Sequence, residues 1–240
     1  MNYLKSEHLK FKRTISNKLL WIAPLFTVIF AWIAGGFAGF QYMSFYWWYA
    51  FLLPGTIAIL CALAHLKEEK AGKYYAVFSM PIDLLKFEMA KAIVMIEKLV
   101  IAALFLAAFV SISNVISPAL AVYNIGLSVI GSIAIVLASI WQIPFCLFLV
   151  RRTGMALPIF LNAILGILSP IVLKESAFAW LCPYCWAAKL AEPLMGIEIS
   201  GVYVGNSHFS IAIIAILAAS LFLFMALSFW DAKNFQKGGN

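Results

Sequence analysis

Apolar residues along this chain come in long unbroken runs, and the polar residues are gathered into the segments between them. A helix needs about 20 apolar residues to cross hydrocarbon. Continuous rather than alternating apolarity excludes membrane strands. The pattern predicts six spans, at about Leu19 to Phe40, Phe45 to Leu66, Ile93 to Ile112, Ile125 to Val150, Met155 to Leu173 and Phe209 to Trp230. The fifth is short and carries Pro158 and Pro170. The expected fold class is an all-α integral membrane protein with six transmembrane helices, and residues 1–240 form one membrane domain.

Composition agrees. The chain is 65% hydrophobic and 11% charged, with a mean hydropathy of +0.98. Soluble domains carry about 25% charged residues, so this chain has too little polar surface for a water-facing globule. The first eighteen residues are polar and include Glu7, and the apolar run after them is too long for a signal-peptide core. That run is expected to stay as a membrane span.

Charge gives the orientation. With both termini cytoplasmic, 15 of the 17 Lys and Arg residues fall inside, and only Lys174 and Lys189 fall outside. This is the bias that positive-inside topology requires, and it favours an even number of spans. The net charge of +7 is then a product of topology and needs no nucleic-acid partner.

Before the first span, "YLKSEHLKFKRTISNKL" puts Leu4, Phe11, Ile15 and Leu19 near one helical face, with Lys5, Lys12 and Arg13 off it. Residues 1–18 are expected to form a basic amphipathic helix in the inner interface. A plain cytoplasmic extension of the first span is the other option. The aromatic cluster "YMSFYWWY", Tyr42 to Tyr49, is expected at the outer headgroup layer, where amphipathic rings collect.

The longest inside segment, His65 to Lys91, holds nine of the 27 Lys, Arg, Asp and Glu residues. It is predicted to split into two amphipathic helical pieces at Ser79-Met80-Pro81, because proline cannot continue one helix and suits the start of the next. The first piece places Glu69, Gly72 and Tyr75/Ala76 along one side. The second places Leu84, Phe87 and Lys91 on an apolar stripe leading into the third span. Such a segment can act as a lever between a soluble partner and two spans, whereas a solvated connector needs no such pattern.

"Glu69-Lys70-Ala71-Gly72-Lys73-Tyr74-Tyr75", followed by Ser79 and Pro81, resembles the coupling-helix segment of ABC-2-type transporter permeases. An interfacial N-terminal helix, six spans, cytoplasmic ends and a long outer loop before the last span are similar to that family too. The resemblance implies that a coupling helix lies between spans two and three and meets a cytoplasmic ATPase. Its docking residues would be Glu68, Glu69, Lys70, Gly72, Tyr74 and Tyr75, with a basic residue of the ATPase as the counter-charge. The chain has no G-x-x-x-x-G-K-[ST] motif, so no phosphate cradle of that kind. ATP and Mg would be bound by the partner ATPase, in two copies, and this chain would bind no cofactor and be no enzyme itself.

Residues 174–208 form the only long outer loop, with Trp180, Pro183 and Trp186 as tentative substrate-side residues. Cys182-Pro183-Tyr184-Cys185 has the spacing of a dithiol redox motif but lacks the βαβ context that gives it meaning. A structural disulfide and simple packing are the remaining options. Few ionisable residues fall within the spans, which disfavours an ion-coupled carrier. Scattered Gln142 and Asn162 groups instead suit an amphipathic cargo.

The small size, the Pro- and Trp-bearing last outer loop and the opening "MNYLKSEHLKFKRT" resemble lantibiotic-immunity permease subunits of the MutE/EpiE type. That likeness implies an exporter conferring immunity or resistance to a cationic antimicrobial peptide, in a bacterial plasma membrane. Its partners would be a second, different permease or a copy of this chain. An exporter of another amphipathic cargo, a drug, lipid or glycan, is the alternative. A membrane enzyme is a third class, but His8, His65 and His208 fall on both sides of the membrane in this topology and cannot share one site.

Overall fold

A computed structural model describes residues 3–12, 15–70, 83–205 and 208–237, with side chains as far as residue 234. The described residues are helical, apart from loops, short 3-10 turns and one isolated bridge between Ile197 and Tyr203. The helices are α1 (Tyr3–Phe11), α2 (Ile15–Trp47), a π-helical turn (Trp48–Leu52), α3 (Leu53–Lys70), α4 (Leu84–Ile116), α5 (Ile125–Ser139), α6 (Gln142–Thr153), α7 (Ala156–Val172), α8 (Trp186–Met195) and α9 (Ile211–Lys237). Among the described residues three helical stretches, Ile15–Lys70, Leu84–Ile116 and Ile211–Asn234, are long and apolar enough to cross a membrane. The bent pair α5 and α6 makes a fourth if taken as one span. Large apolar side chains such as Ile33, Phe160 and Phe222 face outward. These helices point to a multi-pass membrane protein.

Ile15–Lys70 is not one rod. Gly36 has φ 58° and ψ −159°, a conformation that costs glycine little and other residues much. In a straight helix Phe30 and Trp47 would lie about 25 Å apart along the axis, yet their rings meet at 4.7 Å. Leu19, Ile22 and Phe26 likewise line one cavity with Phe51, Gly55 and Ile59. The stretch is therefore a hairpin of two antiparallel limbs, 15–35 and 37–70. The predicted first span overruns this turn, which falls within the apolar sequence and not in the more polar residues 41–44.

α4 starts at Leu84, where the side chain of Asp83 caps it by accepting from the Lys86 N–H. The second piece of the charged segment is helical and runs into the third predicted span, as expected, and the two form one continuous helix. The fourth predicted span is bent by 46° between α5 and α6. Pro144 has no N–H for the Ile140 carbonyl, and the Ile143 N–H takes it at 3.0 Å. α7 has only 17 residues, about 25 Å of helix.

α4 occupies the middle of the bundle. Its Ala102, Ala103, Leu106, Ala107 and Val110 are fully buried, and the alanines let neighbouring helices approach closely. The aromatic cluster after Gly36 departs from the expected headgroup belt. Phe45, Trp48 and Tyr49 are buried, packed under the loops at that end of the bundle. Tyr42 stacks on Tyr203, and Phe45 and Tyr203 both meet Tyr123 edge-on.

Candidate functional site

Segments predicted to be cytoplasmic come together at one end of the bundle. The last turn of α3 brings Lys67, Glu68, Glu69 and Lys70. Glu68 points inward and is buried. The Lys10 ammonium of α1 donates to Glu68 Oε1 at 2.5 Å and to Glu7 Oε1 at 2.6 Å, and lies 4.8 Å above the Phe87 ring of α4. Lys67 donates to the Lys10 carbonyl. Burial pushes the Glu7 carboxyl above its ordinary pKa, more than Lys91 and Lys10 lower it. Burial alone would depress Lys10, but its hydrogen bonds to Glu68 and Glu7 outweigh that and raise it. Glu69 and Lys70 are exposed. Gly72, Tyr74 and Tyr75 lie outside the described residues, as do Ser79 and Pro81.

On the other side of that undescribed segment, Asp83 and Lys86 are exposed and paired at 3.2 Å. The Lys86 N–H, with the Lys86 ammonium, holds the Asp83 carboxyl below its usual range. The Asp83 N–H donates to the Tyr3 hydroxyl at 3.3 Å. α1 therefore reaches both stems of residues 71–82.

Deeper in, a buried ionic group joins three helices. Glu88 Oε1 of α4 accepts from Lys91 Nζ at 3.2 Å and pairs with Arg151 Nη1 of α6 at 3.1 Å. The Arg151 fork also pairs with Asp231 of α9. Glu88, Lys91 and Asp231 are each under 5% exposed. Sequence reasoning does not single out this group, nor Glu7 and Lys10. It carries one signal: Lys91 lies on the apolar stripe of α4 with Leu84 and Phe87, and a lysine on a stripe destined for burial needs an acid beside it. Among the described residues no group of His, Cys, Asp and Glu could hold a metal ion.

At the opposite end, Trp180, Pro183 and Trp186 shape the loop. Pro183 opens a 3-10 turn, and the Trp186 indole donates to the Trp180 carbonyl at 2.9 Å. Trp141 packs edge-on to Tyr184 and Trp186. The Tyr184 hydroxyl donates to Asn162 Oδ1 at 2.7 Å, and Asn162 Nδ2 donates to the Pro54 carbonyl at 2.8 Å and to Gln142 Oε1 at 3.0 Å. Gln142 and Asn162, expected as scattered pathway groups, are instead bonded to each other and buried. They tie α3, α6 and α7 to the loop. Gln41 does similar work nearby. Its Nε2 donates to Ser113 Oγ and Asn114 Oδ1, and its Oε1 accepts the Val122 and Tyr123 N–H groups at 2.7 Å each. Beside Gln41 and Ser113, an apolar crevice of about 180 Å³ is lined by Trp32, Phe37, Phe40, Phe109, Ile112 and Ile116.

Cys182 and Cys185 are free thiols. Burial, and then the neighbouring Cys182, push the Cys185 thiol up to about 12. The thiolate is the reactive species, so Cys185 is expected to resist alkylation at pH 8, and Cys182→Ser/Cys185→Ser to melt within about 1 kcal/mol of the parent. Rapid labelling of both thiols by iodoacetamide in the folded protein would count against the packing role. Comparison with known protein families, with characterised proteins and with solved structures finds no match to this chain.

Proposed function

We propose that this chain is the permease subunit of an ATP-driven exporter of the ABC-2 type, working in a bacterial plasma membrane. On this reading there are six spans: the two limbs of the hairpin, α4, the bent pair α5 and α6, α7 and α9. Both ends of the chain are cytoplasmic. Its partners are two copies of a separate ATPase, which bind ATP and Mg, and a second permease, different or identical. The cargo is a lantibiotic or similar cationic peptide, expelled to give immunity.

The observation that carries the reading is the charged end of the bundle. Glu69 and Lys70 end one helix, Asp83 and Lys86 begin the next, all four are exposed, and both stems are braced from behind by α1. A soluble motor gripping there would move α3 and α4 together. Support for an amphipathic cargo comes from the apolar crevice beside Gln41 and Ser113, which suits hydrocarbon and not an ion.

The test is co-purification in mild detergent. A P-loop ATPase is expected with the wild type, and Glu69→Lys/Lys70→Glu is expected to retain at least tenfold less. These positions are exposed, so the fold survives the change. Glu68→Lys is the poorer variant, because it would put a second cation against Lys10. A wild-type preparation free of any ATPase would overturn the exporter reading.

A further inference from the structure

Three sulfur atoms from three helices meet inside the bundle. Cys61 of α3 has its Sγ 3.8 Å from Met95 Sδ of α4. The same thiol lies within hydrogen-bonding reach of the Cys146 thiol of α6. Cys61 and Cys146 are fully buried, and Met95 is 1% exposed. Both cysteines are free. Buried thiols serve well as small apolar groups, and packing explains each of them singly. It gives no reason for sulfur to meet sulfur twice at one thiol.

Two thiolates and a thioether are the kind of donor set that soft cations select, Cu(I) among them. The spacing fits. Two sulfurs that share one ion at a bond of about 2.3 Å stand about 4 Å apart in a trigonal site, close to the 3.8 Å between Cys61 and Met95. Zinc fits poorly. Its closed sites take four ligands, and among the described residues no His, Asp or Glu makes a third ligand with the two cysteines. The charge fits as well. Thiolate is the form that binds metal, so one Cu(I) on two thiolates and a thioether carries one negative charge. Lys91 and Arg151, four and five residues from Met95 and Cys146, are close enough to act on Cys61. His65 is four residues on from Cys61, on the same side of α3, and only part-buried. It puts a further copper ligand between the thiol and the exposed end of that helix, and a buried metal site needs such a way in.

We propose that Cys61, Cys146 and Met95 bind one Cu(I) ion in a three-coordinate, all-sulfur site. Binding releases the two thiol protons and changes no oxidation state. The ion ties α3, α4 and α6 together about one turn beneath the ionic group of Glu88, Arg151 and Asp231. It thereby stiffens the two helices that carry the stems of residues 71–82. The inference stands whether or not the chain is a permease.

The test uses the full chain in detergent, as Cys182→Ser/Cys185→Ser so that the outer pair cannot take metal. Cu(I) is added from acetonitrile solution under argon, with the protein kept reduced. One copper per chain is expected to stay bound through gel filtration, and X-ray absorption at the copper edge is expected to show sulfur neighbours only. Adding Cys61→Ser or Cys146→Ser is expected to abolish retention. Met95→Leu keeps both thiolates and is expected to hold copper roughly tenfold less tightly, having lost one of three soft donors. Copper that washes out, or that stays equally in the added serine variants, would overturn the proposal. So would nitrogen or oxygen neighbours in the absorption spectrum, a measurement that needs no core variant to fold.

Discussion

Replacing Arg151 with methionine is expected to cost the folded protein about 3–5 kcal/mol. The Arg151 guanidinium stands between two buried acids on different helices, Glu88 of α4 and Asp231 of α9. Methionine fills much of the same volume but leaves Asp231 charged and buried without its guanidinium. Taking an ion out of water is repaid only while its counter-ion is in place. Glu88 suffers less, because Lys91 stays 3.2 Å away. The second change matters more than the first. In Arg151→Met/Asp231→Leu both members of that pair are gone, and most of the loss is expected to return, to within about 1 kcal/mol of the parent. Thermal unfolding in detergent, followed by size-exclusion chromatography, measures all three proteins. Equal losses in the single and double variants would sink the argument, since the cost would then lie in packing and not in an orphaned charge.

Gly166→Ala is expected to lose about 2–3 kcal/mol, against the grain of helix propensity, which favours alanine by about 1 kcal/mol. A Cβ at Gly166 would stand 2.5 Å from the Ala50 carbonyl oxygen and 2.9 Å from Pro54 Cγ. The first of these is backbone and cannot swing aside. That carbonyl is in the π-helical turn, where the chain accommodates Pro54. Moving α7 away to make room also pulls Asn162 from the Pro54 carbonyl and from Gln142. Gly55 supplies the comparison, since a Cβ there meets nothing within 4 Å. Gly55→Ala is expected to be neutral or to stabilise by up to about 1 kcal/mol. The same melts decide it: parallel shifts for the two alanines would mean that the close approach at Gly166 is not limiting.

The coarse plan is legible in sequence because it rests on bulk apolarity, which the bilayer reads as directly as the eye does. The long helices lie where the runs are, and the cation-rich segments gather at one end of the bundle. The features that escape such a reading have no compositional marker. The turn at Gly36 sits in "IAGGFAG", where only two adjacent glycines hint at a break. The bend before Pro144 is hidden in an apolar run for the same reason. α1 is a helix, as its periodicity expects, yet Leu4 and Phe11, two turns apart on one face, differ in burial: Phe11 is buried and Leu4 is exposed. Hydropathy alone does not tell them apart, and the pair from Lys10 to Glu68 that fixes α1 on the bundle spans 58 residues, far beyond any local window. The cluster from Tyr42 to Tyr49 fails differently. Rings that suit an interface also suit a packed core, and nothing in the octet says which.

The tight hairpin at Gly36 also bears on how the chain is made. A translocon meeting residues 19–66 finds one greasy stretch without a hydrophilic landmark at its centre. On the six-span reading the two limbs enter as a folded-back pair, their mutual contacts replacing the polar loop that usually halts transfer. Entry as a single pass would then invert every later segment and part Glu68 from Lys10 of α1 across the bilayer. A leucine at position 36 should therefore be felt during biosynthesis, as chains of inverted orientation, before it is felt as lost stability in those that insert correctly.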